Sequence, residues 1–361
     1  MADPFQRKRD HLALCHQAPV QVASHEGLWS EVHLVHNALP ELSGSELQLD
    51  TPFLRHRLRA PLMVTGMTGG PPEAGTINRQ LAQLCQRHGL AFGIGSQRIM
   101  DRVPASLETF RVREIAPDVV LLGNLGVNQV RDLGIARARE LFRMIEADYL
   151  AVHLNPAQEL AQVDADADAD FRDGYATVAR LVEALEGRVL VKECGAGLSP
   201  AVVQRLYAAG VRAVDVSGSG GTSWVQVEAL RAAARPGAER KARLGRLFAD
   251  WGIPAAAAVM GAVGRGPLVI ASGGIDQGLS LARALALGAQ IGGMARPVLR
   301  ALLDHGVEGA EAYLGDVLYG LRMTMLLTGC RKPEELRRVP RVLGPTLAAW
   351  ERTWATSGPV G

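Results

Sequence analysis

Lys192 directly follows the apolar run Val189-Leu190-Val191, so a buried segment would have to hold an ammonium group. A buried lysine is costly unless paired. It could form a Schiff base, act as a base, or stand as a fixed cation beside an anionic ring. The plain alternative is a lysine that snorkels outward. His153-x-Asn155-x-x-Gln158-Glu159 supplies a donor cluster with one carboxylate. One carboxylate is too few for a dedicated metal cage, but it suits Mg²⁺ completed by substrate phosphates and water. The same residues also read as a helix start, with Asn155 as cap, Pro156 in the first position and Glu159 in the first turn. The two readings are compatible.

Three glycine clusters suit phosphate: Ser217-Gly218-Ser219-Gly220-Gly221-Thr222, Ser272-Gly273-Gly274 and Gly292-Gly293-Met294-Ala295. Glycine lets backbone N–H groups approach an anion, and a helix N-terminus favours its charge. A second anion site is suggested by Arg7-Lys8-Arg9-Asp10-His11 together with Arg98; a solvated basic tail is the alternative for the first of these. Two anion sites imply a phosphate-bearing cofactor and a phosphate-bearing substrate.

The elements that must position these residues repeat a simple grammar: a short apolar run, a glycine-rich turn, then a helix-like segment. The runs are 62–65, 91–94, 119–122, 149–152, 189–191, 213–216, 268–270 and 290–291. Helix-like segments between them include 78–88, 134–147, 177–185, 200–209 and 279–287. Strands alternating with helices predict a parallel sheet buried on both faces. Eight units predict a (β/α)8 barrel, the TIM-barrel member of the α/β class, with its site at the C-terminal strand ends. A doubly wound sheet would carry G-x-G-x-x-G after the first strand; Gly66-Met67-Thr68-Gly69-Gly70 lacks that spacing. The expectation is one domain over residues 1–361. It comprises an N-terminal arm (1–60), the barrel (61–300) and a C-terminal helical tail (301–361), with an extended sixth loop, Arg-rich from Arg231 to Arg246.

Composition narrows the class. The 361 residues include 39 basic and 37 acidic side chains, which argues against a nucleic-acid footprint. No uncharged run reaches the ~18 residues of a membrane span, and Met1 to His16 has no apolar signal core. The four cysteines, Cys15, Cys85, Cys194 and Cys330, are scattered without a CxxC, as expected in a reducing cytoplasm. A soluble cytoplasmic protein is expected. Forty glycines exceed the usual ~7% share. The alternating Asp run 164–170 lacks the glycine and closing glutamate of a calcium loop, so a solvated loop is expected.

Nine motifs together resemble the type 2 isopentenyl-diphosphate isomerases. They are Arg7-Lys8-x-x-His11, Met67-Thr68-Gly69-Gly70, Gly95-Ser96-Gln97-Arg98, Asn124-Leu125-Gly126, His153-Leu154-Asn155-Pro156-x-Gln158-Glu159, Val191-Lys192-Glu193, Asp215-Val216-Ser217-Gly218-x-Gly220-Gly221-Thr222, Ala271-Ser272-Gly273-Gly274-Ile275 and Gly293-Met294-Ala295-Arg296-Pro297. They run in order across roughly residues 5–330. The resemblance implies an FMN barrel that interconverts isopentenyl and dimethylallyl diphosphate with reduced flavin, NADPH as reductant and Mg²⁺. It implies FMN contacts at Met67, Thr68, Gly69, Ser96, Asn124, Lys192, Ser217, Thr222, Gly273, Gly274, Met294 and Ala295. It implies substrate contacts at Arg7, Lys8, Ser96, Gln97, Arg98, His153, Asn155 and Gln158, with Glu159 on Mg²⁺. Gln158, Lys192 and His153 would be catalytic, reduced FMN the principal acid/base, and the assembly a homotetramer or octamer. One departure is Ala255, where such proteins often carry Thr after Trp-Gly-Ile-Pro.

The competing reading is an FMN-dependent 2-hydroxy-acid oxidase. That chemistry wants a histidine base beside an arginine clamp late in the barrel, whereas the late strand ends here offer Arg296 without a histidine. A nucleotide-synthesis dehydrogenase would want a cysteine in the sixth loop, and residues 217–266 contain none. A silent flavin-binding protein would not need Arg7, Arg98, Gln158 and Glu159.

Overall fold

The protein is described by a computed structural model over residues 3–163 and 170–356. Eight parallel strands close into a barrel: Leu62–Val64, Ala91–Gly93, Val120–Gly126, Tyr149–Leu154, Val189–Glu193, Ala213–Asp215, Leu268–Ala271 and Ile291–Met294. Each pairs with its sequence neighbour, and the eighth pairs with the first. This is the expected (β/α)8 barrel.

Successive side chains on a strand point to opposite faces. Met63, Val120, Leu122, Tyr149, Ala151, Leu190, Ala213 and Ile270 fill the barrel's inside, closed from below by Phe53 and Leu58 of the hairpin Thr51–Phe53/His56–Leu58. Leu121, Leu150, Val152, Val191 and Val214 face the helices instead. The inward parity continues upward to Asn124, His153, Lys192 and Asp215. Register aligns the last three: His153 opposes Lys192, and Lys192 opposes Asp215. The ring of chemistry at the mouth is therefore a consequence of strand period and register.

The expected helices are present with shifted ends. The first starts at Pro72, six residues early, and stops at Gly89, whose φ of +62° suits a left-handed cap. The expected 134–147 segment is Ile135–Met144, preceded by a separate helix Val127–Leu133, with Gly134 at φ +79° between them. The sixth loop forms helices Trp224–Ala233 and Glu239–Leu247 before Ala255–Ala262. Helix Arg296–Leu327, kinked at Gly306, runs across the expected barrel–tail boundary at residue 300. The tail is thus continuous with the barrel's eighth helix. Its strand Arg341–Leu343 pairs with Val32–Leu34 of the arm. The terminal helix Pro345–Thr356 lies against Ala255–Ala262, where Trp354 Nε1 donates to Ala257 O at 2.9 Å. Among the described residues no helix is long and apolar enough to cross a membrane, and all four cysteines are free.

Candidate active site

The barrel mouth opens into a cavity of about 570 Å³. Met67, Thr68, Lys192, Ser217, Thr222, Gly273, Gly274, Met294 and Ala295 all line it. Gly273 and Gly274 have φ of +84° and +80°, a pairing that favours glycine. A methyl group on Gly273 would sit 2.5 Å from Gly218 O, so the two loops meet through bare backbone. The N–H groups of Gly273 and Gly274 find no acceptor among the described residues, and Thr68 Oγ1 is buried with no partner. Unspent donors in a glycine-walled cavity fit the phosphate and polar ring edge of FMN. Lys192 Nζ donates to Glu193 O at 3.0 Å and stands 3.5 Å from Cys194 Sγ. Burial opposes its charge, but Cys194, Asp215 and Glu193 more than offset this and raise its pKa. Asp215 is fixed in turn by Ser272 Oγ at 2.6 Å and Ser217 N at 3.1 Å. Ser217 holds a left-handed φ of +52°, uncommon for serine and set at the cavity wall.

A second cavity of about 250 Å³ lies beside strands three and four. Arg98, Asn155 and Glu159 line it, with Asp101, Arg102, Gln129 and Asp132. Asn155 Nδ2 donates to Glu159 Oε1 at 2.9 Å and to Gln158 Oε1 at 3.2 Å. The buried His153 donates from Nδ1 to Asn124 Oδ1 at 2.8 Å. Burial, reinforced by Lys192, Lys8, Arg7 and Arg98, pulls its pKa to about 3, so it is neutral at physiological pH. Among the described residues no cluster of three or more His, Cys, Asp or Glu could hold a metal. Glu159 shares its cavity with Asp101, Asp132, Arg98 and Arg102 without a clustered ligand set, so its carboxylate fits Mg²⁺ only with substrate oxygens completing it.

Arm helix Gln6–Gln17 lies across the mouth, and Lys8 and His11 line the main cavity from it. Burial first, then Arg7 and Arg98, lower the Lys8 pKa to about 7. His11 Nε2 lies 2.8 Å from Glu228 Oε1, and Arg231 Nη1 donates to Glu228 Oε2 at 2.6 Å. Arg231 Nε also meets Asp10 at 3.1 Å, and Gln158 Nε2 reaches Glu228 Oε1 at 3.3 Å. Burial would raise the Glu228 pKa; the His11 hydrogen bond and the Arg231 cation hold it at about 2 instead. Arg7 Nη1 donates to Gln162 Oε1 at 2.9 Å. The His11–Glu228–Arg231 hub is the main feature missing from the sequence-derived site. Its signal was the i,i+3 pair Glu228/Arg231 behind the Ser223 cap. Arg231, at the start of the arginine-rich part of the sixth loop, is only 4% exposed.

Several expected residues lie elsewhere. Gln97 is fully buried and spent on the scaffold: its Nε2 donates to Leu141 O at 2.6 Å and its Oε1 accepts from Asn124 N at 3.0 Å. Its side chain points between strand and helix. Gly69 faces the Phe110 ring, which a methyl group would meet at 2.1 Å, so close packing requires glycine there. Ser96 Oγ lies 3.2 Å from Gln129 Oε1, on the strand-three side. Asn124 sits below the main cavity, at the barrel's centre. Ala255 is buried against Gly218 and Gly27, and its N–H donates to Ser219 O at 3.0 Å. Of the Asp run, residues 164–169 lie outside the described residues, and Asp170 bonds to Arg172. Arg296 lines the main cavity, but its guanidinium is engaged by the arm, donating to Cys15 O at 2.7 Å and Ala18 O at 2.9 Å.

The fold and its glycine-walled mouth define a flavin-type barrel, and the FMN-dependent dehydrogenase family model matches residues 137–341. Solved structures of mandelate oxidase share this fold. One, with a monooxide FMN adduct, aligns at TM-score 0.60 and 17% identity, covering 95% of this chain and 100% of that one. Another, with 2-hydroxy-phenylacetamide, aligns at 0.62 and 19%, covering 94% of each. More specifically, the chain belongs to the isopentenyl-diphosphate delta-isomerase family. The Halobacterium salinarum member is 43% identical over 93% of both chains. The Synechococcus member is 43% identical over 94% of this chain and 96% of its own. The Sulfurisphaera tokodaii member is 38% identical over 95% and 93%.

Proposed function

We propose that this protein interconverts isopentenyl and dimethylallyl diphosphate by a 1,3-proton shift, with FMN bound in the main cavity. The observation that carries the reading is a cationic cluster beside the glycine cradle: Lys192 and Lys8 line the main cavity, His153 stands opposite Lys192 in the strand register, and Arg7 and Arg98 lie close enough to act on both Lys8 and His153. Bound and reduced, the flavin supplies a proton source and an anionic ring that steadies positive charge developing on the alkene. Lys192 holds that ring as its fixed cation. Arg7, Lys8, Arg98, His153 and Asn155 hold the diphosphate, binding energy remote from the reacting carbons. Gln158, oriented by Asn155 and Glu228, faces the reacting end. Glu159 takes Mg²⁺ shared with the diphosphate. NADPH is the reductant, and the working form is a cytoplasmic homo-oligomer of single-domain subunits.

The 2-hydroxy-acid oxidase reading loses its clamp, because Arg296 is committed to the carbonyls that end the arm helix. The test is direct: the FMN-loaded protein, bleached by NADPH without oxygen, is assayed with isopentenyl diphosphate and Mg²⁺. Dimethylallyl diphosphate is the expected product. A bleached flavin with no product would overturn the assignment.

A further inference from the structure

Trp29 does not line the main cavity, yet it touches the cavity's wall from behind. Its indole Nε1 donates to Gly273 O at 2.9 Å, and the residue is only 2% exposed. The chain is bent to make this contact. Gly27 and Leu28 both take left-handed backbone, with φ of +71° and +61°. A methyl group on Gly27 would lie 3.0 Å from Trp29 Nε1, 3.1 Å from Ala255 Cβ and 3.2 Å from Gly273 O, so four residues converge on one point. A left-handed leucine is uncommon, and the indole N–H is a donor that burial leaves costly unless it is paired.

In a trans peptide the carbonyl and the following N–H point in opposite directions. Holding Gly273 O from behind therefore turns Gly274 N–H away from Trp29. Gly221 keeps that side open: a methyl group there would lie 2.6 Å from Gly274 N. Gly221, Gly273 and Gly274 all line the cavity. We propose that Trp29 is a positioning residue for the phosphate cradle: it fixes the Gly273–Gly274 peptide so that Gly274 N–H is presented to the flavin phosphate. This rests on the reading that the cavity holds FMN. Fixing the peptide beforehand removes the cost of orienting it when the phosphate arrives.

The test compares FMN with riboflavin, which lacks the phosphate, by fluorescence titration of the flavin-stripped full-length protein. Trp29→Phe removes the donor and keeps an aromatic ring. A second variant carries benzothienylalanine at position 29, which keeps the indole shape without the N–H and serves if circular dichroism shows that Trp29→Phe is misfolded. The expected result is an FMN Kd about fivefold higher, in line with one lost hydrogen bond, with riboflavin affinity unchanged. An unchanged FMN affinity, or an equal loss for both flavins, would overturn the role of Trp29. Failure of the unsubstituted protein to bind FMN would instead overturn the cofactor reading beneath it.

Discussion

His153 Nδ1 lies 2.8 Å from Asn124 Oδ1, joining the third and fourth barrel strands by a buried side-chain hydrogen bond below the main cavity. The contact fixes His153 as the neutral tautomer with its proton on Nδ1. It couples a residue expected on the cofactor side to one expected on the diphosphate side, with Lys192 next in the ring.

Replacing that amide by a carboxylate should charge the ring. An anion beside an imidazole raises its pKa by about 1–3 units. In Asn124→Asp the His153 titration should therefore move up from about 3. Imidazole ¹⁵N shifts at pH 5 should report a partly protonated ring in the variant and a neutral one in the parent. Identical spectra would show that the Asn124 contact does not govern the ring.

Lys8 should set the pH dependence of substrate capture. Its folded pKa is lowered to about 7, so the ammonium is present below that pH and lost as pH rises through it. The profile of kcat/KM reports the free enzyme and should fall above about pH 7. Lys8→Arg, which stays charged, should remove that limb. Calorimetry in buffers of different ionisation enthalpy should show proton uptake on binding at pH 8 and little at pH 6.

The hub around Glu228 should hold the arm helix in place. Its carboxylate pKa is about 2 when folded, against 4.5 ordinarily. Its contribution is thus complete above about pH 4.5 and lost as pH falls through about 2; at neutral pH it is on the order of 3 kcal/mol. Glu228→Gln should cost a similar amount or less, and limited proteolysis within residues 6–17 should accelerate. Unchanged cleavage would separate the hub from the arm.

Two glycines should respond oppositely. Gly69→Ala drives a methyl into the Phe110 ring and should lower stability by about 1–3 kcal/mol while the folded fraction keeps its flavin. Gly274→Ala, at φ +80° with its methyl 2.8 Å from Gly220 O, should lose flavin at a smaller cost in melting temperature. Absorbance at the flavin band per folded protein, read beside a thermal melt, distinguishes the two.

The barrel was legible because short apolar runs, turns and helices repeat eight times, and strand parity alone points Asn124, His153, Lys192 and Asp215 inward. The glycine cradle was legible for the same reason: its residues sit directly after strands. What the sequence did not show are relationships that fold-level contacts create. Gln97 carries a site-like motif but turns beneath the mouth to satisfy two backbone groups. Glu228 and His11 lie 217 positions apart and meet only because the arm folds back over the sixth-loop helix. Arg296 follows a cradle motif, yet its guanidinium ends the arm helix.

The most direct measurement is product analysis in D₂O over many turnovers, with the flavin spectrum recorded alongside. FMN-loaded, reduced protein given isopentenyl diphosphate and Mg²⁺ without oxygen should yield dimethylallyl diphosphate carrying solvent deuterium, while the flavin stays reduced and no further NADPH is consumed. Stoichiometric flavin reoxidation, or no double-bond shift at all, would contradict the account.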